Sequence, residues 1–249
     1  MAYLEREKSL KQISNNVYCE DFILECHIEN MLLPNPYYDE PFLYLPNVLS
    51  DEVCKSIVDS VRGNEDAEAA MVKKSVLQGV VVPDIDEQIR KTLIHTLPEY
   101  LETIYRDAFA VAQQKIEAYF TLAMTTPTAL QVLEYTRGDF YQKHADDSSE
   151  LLNDQGNTAG FVCVVPQRKL TTVLFTTSWN AQPHDAYSFS GGELVFNYLY
   201  DAQENNIVLH PKAGDMVIFP SNPVFSHEVR PVKKGYRLTL VQWHNAIMY

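Results

Sequence analysis

The chain has 249 residues, long enough for one domain with a sizeable core, and 33 acidic against 20 basic side chains leave a net charge of −13. That balance argues against a general nucleic-acid binder, which needs a basic stripe to meet phosphates, and suits a small zwitterion or a basic peptide better. Cys19, Cys26, Cys54 and Cys163 are scattered without a C-x-x-C pair, so they read as free thiols rather than a disulfide framework. The N-terminus has no apolar signal core and no stretch is long enough to span a bilayer. The expectation is a cytoplasmic protein that does not engage a membrane.

In chain order, residues 1–40 read as an N-terminal extension with a short helix over Glu20–Leu33, ended by Pro34-Asn35-Pro36. Asp51–Val61 is predicted helical, capped by Ser50 or Asp51, and Arg62-Gly63-Asn64-Glu65-Asp66 breaks it. Thr96 and Pro98 open a longer helix, since proline is tolerated in a first turn. Its apolar positions Leu101, Ile104, Tyr105, Ala108, Val111, Ala112, Ile116, Tyr119 and Phe120 follow helical spacing and predict one packed face. Beyond Thr128 the signal is strands and turns. Leu130–Tyr135 alternates as a half-buried strand, Thr136-Arg137-Gly138-Asp139 reads as a turn, and Phe140–His144 is the next strand. Asp147–Gln167 is long and acidic, and reads as a solvated loop or a substrate lid. Ile207–Leu209, a turn at Pro211–Asp215 and the strand Met216–Pro220 follow. Lys233-Lys234-Gly235 is predicted to turn the chain into a strand over Tyr236–Trp243.

The chemistry concentrates in this second half. His144 and Asp146 sit two apart at a strand end, so both side chains reach one ion while Ala145 points away. With His227 they form a two-histidine, one-carboxylate set, the facial arrangement that holds a non-haem iron and leaves positions open. Arg237, Thr239 and Val241 share one strand face. An arginine on an apolar inward face must find an anion, and its planar fork suits a carboxylate, although Glu193 is an alternative structural partner. Arg168 reads as a salt-bridge residue at a strand start or else a ligand contact, Trp243 as core, and His184 as a residue of the site entrance or the surface.

These residues resemble, in order, the Fe(II)- and 2-oxoglutarate-dependent dioxygenases of the prolyl 4-hydroxylase-like branch. The resemblance runs through Tyr135–Asp146, Arg168–Phe175, Gly191–Phe196, Pro211–Asp215 and His227 through Arg237 to Trp243, with the strand-to-helix opening at Phe42–Asp51. It implies a mostly β chain with flanking helices, built on a double-stranded β-helix: a jelly roll with a cupin-like core. The domain would span 41–249, with helices about 51–121 and the β-helix about 128–245. The resemblance assigns Fe(II) to His144, Asp146 and His227, and the distal carboxylate of 2-oxoglutarate to Arg237, with Thr239 and Tyr135 as further contacts. The chain departs from the family where Thr176-Thr177-Ser178-Trp179-Asn180 replaces a Tyr-Leu-Asn run, leaving Phe175 or Thr176 to line that wall.

The expected activity is hydroxylation of an unactivated C–H bond with O2, releasing succinate and CO2, with ascorbate as a reductant. Related halogenases lack the carboxylate that Asp146 provides. An amino-acid side chain, prolyl or similar, free or peptidyl, is the expected substrate. Another small metabolite for the same iron chemistry, or a non-catalytic metal- or peptide-binding β-helix protein, are the alternatives. The sequence leaves the oligomeric state open.

Overall fold

The computed structural model describes residues 12–14, 17–19, 41–63, 67–70, 72–76, 80–84 and 88–248. Two antiparallel sheets face each other, as in a double-stranded β-helix. The larger runs, edge to edge, through Leu43–Leu45, Met216–Pro220, Leu170–Phe175, Arg237–Met248, Gln131–Tyr135, Leu93–His95 and Glu68–Ala69. The smaller runs through Asn206–Leu209, Leu194–Tyr200, His227–Val229, Phe140–His144 and Arg90–Lys91.

Between the sheets lies an aromatic core. Phe42 stacks on Phe196 at 5.1 Å, and Phe196 meets Phe219 edge-on at 5.1 Å, an arrangement that adds quadrupole attraction to the buried area. On its other face the larger sheet carries the helices. Helix α1 (Asp51–Val61) begins where the Ser50 side chain accepts from the Val53 amide, and buries Cys54, Ile57, Val58 and Val61. Helix α2 (Glu99–Phe120) starts after Pro98 and buries Leu101, Tyr105, Ala112, Ile116 and Tyr119. Ile104 and Val111, expected on that packed face, are 38% and 78% exposed. They lie roughly 90° round the helix from the centre of the buried stripe.

Three further readings change. Lys233–Gly235 is not a bare turn: Val232–Gly235 is an edge strand paired with Ser188–Gly191, and only then does the chain enter Arg237–Met248. The last strand extends past Trp243 to pair Ala246 with Met124 and Met248 with Leu122. The segment expected as an acidic loop is a hairpin, Ser148–Leu152 against Thr158–Cys163, with Ser148 and Ser149 buried. Backbone strands at Gln12–Ser14 and Val17–Cys19 extend that hairpin, with Tyr18 opposite Phe161. The helix expected over Glu20–Leu33 lies outside the described residues. Cys54 is buried and outside any disulfide, and Cys163, which as a thiol in an apolar run was expected buried, is only partly so. Among the described residues no helix is long and apolar enough to cross a membrane.

Candidate metal centre and cosubstrate pocket

His144 and His227 stand on adjacent strands of the smaller sheet as direct cross-strand partners. The strand carrying His144 spends one extra residue between Tyr141 and His144 relative to its partner, a bulge of the kind that re-aims side chains beside sites. Asp146 follows two residues later, just past the strand end, so the shared orientation expected from strict alternation is reached on extended chain outside the ladder. The three side chains each offer a donor atom, and these atoms lie within 4.8 Å of one another. His144 Nε2 is 3.7 Å from Asp146 Oδ1, and His227 Nε2 is 4.0 Å from Asp146 Oδ2.

Local hydrogen bonds fix both imidazoles. His144 Nδ1 meets the Gln142 carbonyl at 2.9 Å, and His227 Nδ1 meets the Phe225 carbonyl at 3.0 Å. A carbonyl only accepts, so each Nδ1 carries the hydrogen and each Nε2 lone pair is left for an ion. Burial, with His227 alongside, holds the His144 imidazole well below its ordinary range although Asp146 opposes the shift. A neutral imidazole is the ligand form. Thr171 Oγ1 donates to Asp146 Oδ2 at 2.6 Å and contacts Ser221 Oγ at 2.9 Å. These donors fit a divalent iron.

Across the cavity from the triad, the larger sheet contributes Arg237, which is 1% exposed. Its guanidinium lies 4.7 Å from the Tyr135 ring, 5.4 Å from Phe175 and 5.9 Å from Phe189, and its Nη1 reaches Thr239 Oγ1 at 3.5 Å. Among the described residues no carboxylate pairs with it, and its Nε is buried without an acceptor. Glu193, the alternative partner, instead accepts from Trp179 Nε1 at 3.0 Å. Burial pushes the Arg237 guanidinium down to about 10. A buried cation of this kind, unpaired and aromatic-walled, is shaped for a ligand carboxylate. A cavity of about 460 Å³ joins the triad to Arg237, with Tyr135, Thr239 and Val241 on its wall.

Residues 130–245 match the family model described as the 2OG-Fe(II) oxygenase superfamily. The match covers a little under half of the chain. No curated protein matches the chain. Solved structures share the fold. A Pseudomonas putida prolyl-4-hydroxylase is 22% identical with a TM-score of 0.56, over 82% of this chain and 92% of that one. A viral collagen prolyl hydroxylase from Paramecium bursaria Chlorella virus-1, in complex with 2OG, is 15% identical at 0.51, over 84% and 97%. A prolyl hydroxylase from Trichoplax adhaerens, bound to a hypoxia inducible factor peptide fragment, is 18% identical at 0.51, over 82% and 83%.

The pocket also holds side chains whose partners the sequence reading did not identify. Arg168 makes no salt bridge among the described residues; its Nη1 donates to the Asp146 carbonyl at 3.0 Å and its guanidinium lies 3.7 Å from the Trp243 ring centre. Trp243, expected as core, lines the cavity as well. Its signal was available, because alternation carries the face of Arg237, Thr239 and Val241 on to residue 243. Arg90, 6% exposed, places its guanidinium 4.7 Å from the Tyr141 ring, which in turn stacks on His144. No motif or spacing ties Arg90 to the triad; it arrives by pairing opposite Tyr141. Of the expected wall residues, Phe175 packs under Arg237, whereas Thr176 turns away to donate to the Leu238 carbonyl. His184 is exposed and off the cavity, with its Nδ1 3.4 Å from the Gln182 carbonyl.

Proposed function

We propose that this protein is an Fe(II)- and 2-oxoglutarate-dependent dioxygenase that hydroxylates an unactivated C–H bond of an amino-acid side chain, prolyl or chemically similar, releasing succinate and CO2. The observation that carries the reading is the pairing of a His144–Asp146–His227 donor set with a buried, carboxylate-free Arg237 across one cavity. His144, Asp146 and His227 would hold Fe(II), which when bound supplies the activation of O2 that 2-oxoglutarate drives. Arg237 would take the distal carboxylate of 2-oxoglutarate as a charge-assisted pair, with the Thr239 hydroxyl beside it and the Tyr135 ring as its floor.

The chain's own contribution is placement. Main-chain carbonyls hold the imidazole tautomers, Thr171 turns the Asp146 carboxylate, and the aromatic walls keep water from the cosubstrate end. Asp146 supplies the carboxylate of a hydroxylase-type donor set. In this reading 41–249 is the catalytic domain and 1–40 an extension to it, and ascorbate serves as reductant.

The test is succinate formation from 2-oxoglutarate under air with Fe(II) and ascorbate. Wild type should produce it slowly alone and faster with the right pool of amino acids or peptides, and His144→Ala should abolish it. Folded, iron-loaded protein that forms no succinate under any pool would replace this reading with a binding or sensing role.

A further inference from the structure

The cavity is more cationic than one cosubstrate requires. In a chain of net charge −13, it gathers Arg90, Arg168, Arg237 and Lys143. Among the described residues, Asp146 and Glu150 are its only lining carboxylates. Asp146 belongs to the triad, and Glu150 is held by Lys143 at 2.8 Å. With Arg237 given to 2-oxoglutarate, Arg168 remains on the cavity wall, its Nη1 donating to the Asp146 carbonyl.

Arg168 has the Asp146 and Asp147 carboxylates nearby but makes no ion pair with either. Its guanidinium carbon lies over the Trp243 ring, its bond to protein oxygen is to a neutral carbonyl, and no carboxylate pairs with it among the described residues. Its Nε and the Trp243 Nε1 are both buried donors without acceptors. Gln131 Oε1, on the same cavity wall, is a buried acceptor without a donor. Unmet buried donors and acceptors of both kinds cost stability unless a ligand or water answers them.

Resting on the dioxygenase reading above, we infer that the prime substrate presents a free carboxylate to Arg168. It is a free amino acid or similar small acid, not a residue within a peptide chain. Gln131 is positioned along the wall to accept from its amino group. The alternative role for Arg168, merely holding the Asp146 backbone, predicts no preference between a carboxylate and its amide.

The experiment pairs pooled free L-amino acids with the corresponding L-amino-acid amides. Binding is read by ligand-observed NMR on protein loaded with Zn(II) and 2-oxoglutarate, and turnover by succinate formation with Fe(II). Acids should bind and stimulate at least about 10-fold better than their amides, the size expected for a charge-assisted bond. Arg168→Gln should erase the acid-over-amide ratio, and Arg168→Lys, which keeps the charge, should retain part of it. Equal responses to acid and amide, no binding by any acid, stimulation by an end-blocked peptide instead, or a ratio untouched in Arg168→Gln would each overturn the inference. Succinate formed by wild type without any pool tests the dioxygenase reading separately, so the two failures are distinguishable.

Discussion

Replacing Arg237 with methionine should make the apo protein more stable and the working protein worse. Burial pulls the guanidinium down from 12.5 to about 10. At about 1.4 kcal/mol per pH unit, keeping that charge in the fold costs about 3 kcal/mol. The Tyr135, Phe175 and Phe189 rings return part of this, about 1–2 kcal/mol as desolvated cation–π contacts. Methionine keeps much of the linear volume and drops the charge, leaving a net gain of about 1–2 kcal/mol. For a chain of this size that raises Tm by a few degrees, on the order of 2–8 °C. The same change removes a charge-assisted pair worth about 1.5–3 kcal/mol, weakening 2-oxoglutarate about 10- to 100-fold. Thermal melts with and without 2-oxoglutarate, in the presence of Zn(II), read both effects. Wild type should start lower and rise with ligand by mass action, and Arg237→Met should start higher and respond little. A variant that melts below wild type and still gains the full ligand shift would refute the reasoning.

Three further outcomes follow from particular contacts. Thr171→Val removes the hydroxyl that donates to Asp146 Oδ2 at 2.6 Å, and should weaken metal binding about 10- to 100-fold in a Co(II) absorbance titration; unchanged affinity would show that Asp146 needs no orienting partner. Burial holds the His244 imidazole down from 6.5 to about 4, so its share of stability is complete above pH 6.5 and drains as pH falls towards 4. Between pH 7 and pH 5 that amounts to about 2 kcal/mol in urea denaturation. His244→Phe keeps the parallel stack on Phe109 and should flatten that dependence; an unaltered slope would place the acid sensitivity elsewhere. Gly214 adopts φ +88°, and a Cβ there would sit 2.2 Å from the Leu49 carbonyl oxygen. Gly214→Ala should therefore cost at least about 2 kcal/mol by the same denaturation measurement, and a loss below half that would mean the turn can shift.

What the sequence disclosed was whatever is written in short-range pattern. Alternation placed Gln131–Tyr135 and Phe140–His144, and glycine marked the turn between them, where Gly138 has φ +88°. Two-residue periodicity put Arg237, Thr239 and Val241 on one wall, and the ordered motifs tied that wall to the triad. Long-range partners were not legible. Arg168 looked like a salt-bridge residue because charge at a strand start usually finds charge, yet its partner is the Trp243 ring, brought in by a distant strand. Arg90 enters the cavity only because a two-residue strand pairs opposite Tyr141. The acidic run after Asp146 looked solvated on composition, but pairing to Thr158–Cys163 buries Ser148 and Ser149. Spacing alone also overstated the packed face of α2, since a helix against a sheet buries a narrower stripe than its apolar residues can fill.

The bonds from Gln142 and Phe225 to the two imidazoles have a consequence for metal selectivity. Each histidine is locked by a carbonyl two residues before it, so the protein forms these anchors with its own backbone before any ion arrives. A donor set held open in this way binds whichever divalent ion suits nitrogen and oxygen best. In the Irving–Williams order copper and nickel outrank ferrous iron for such ligands. Purified protein should therefore carry mixed metals that reflect its surroundings. Iron occupancy becomes a matter of supply rather than of recognition by the site.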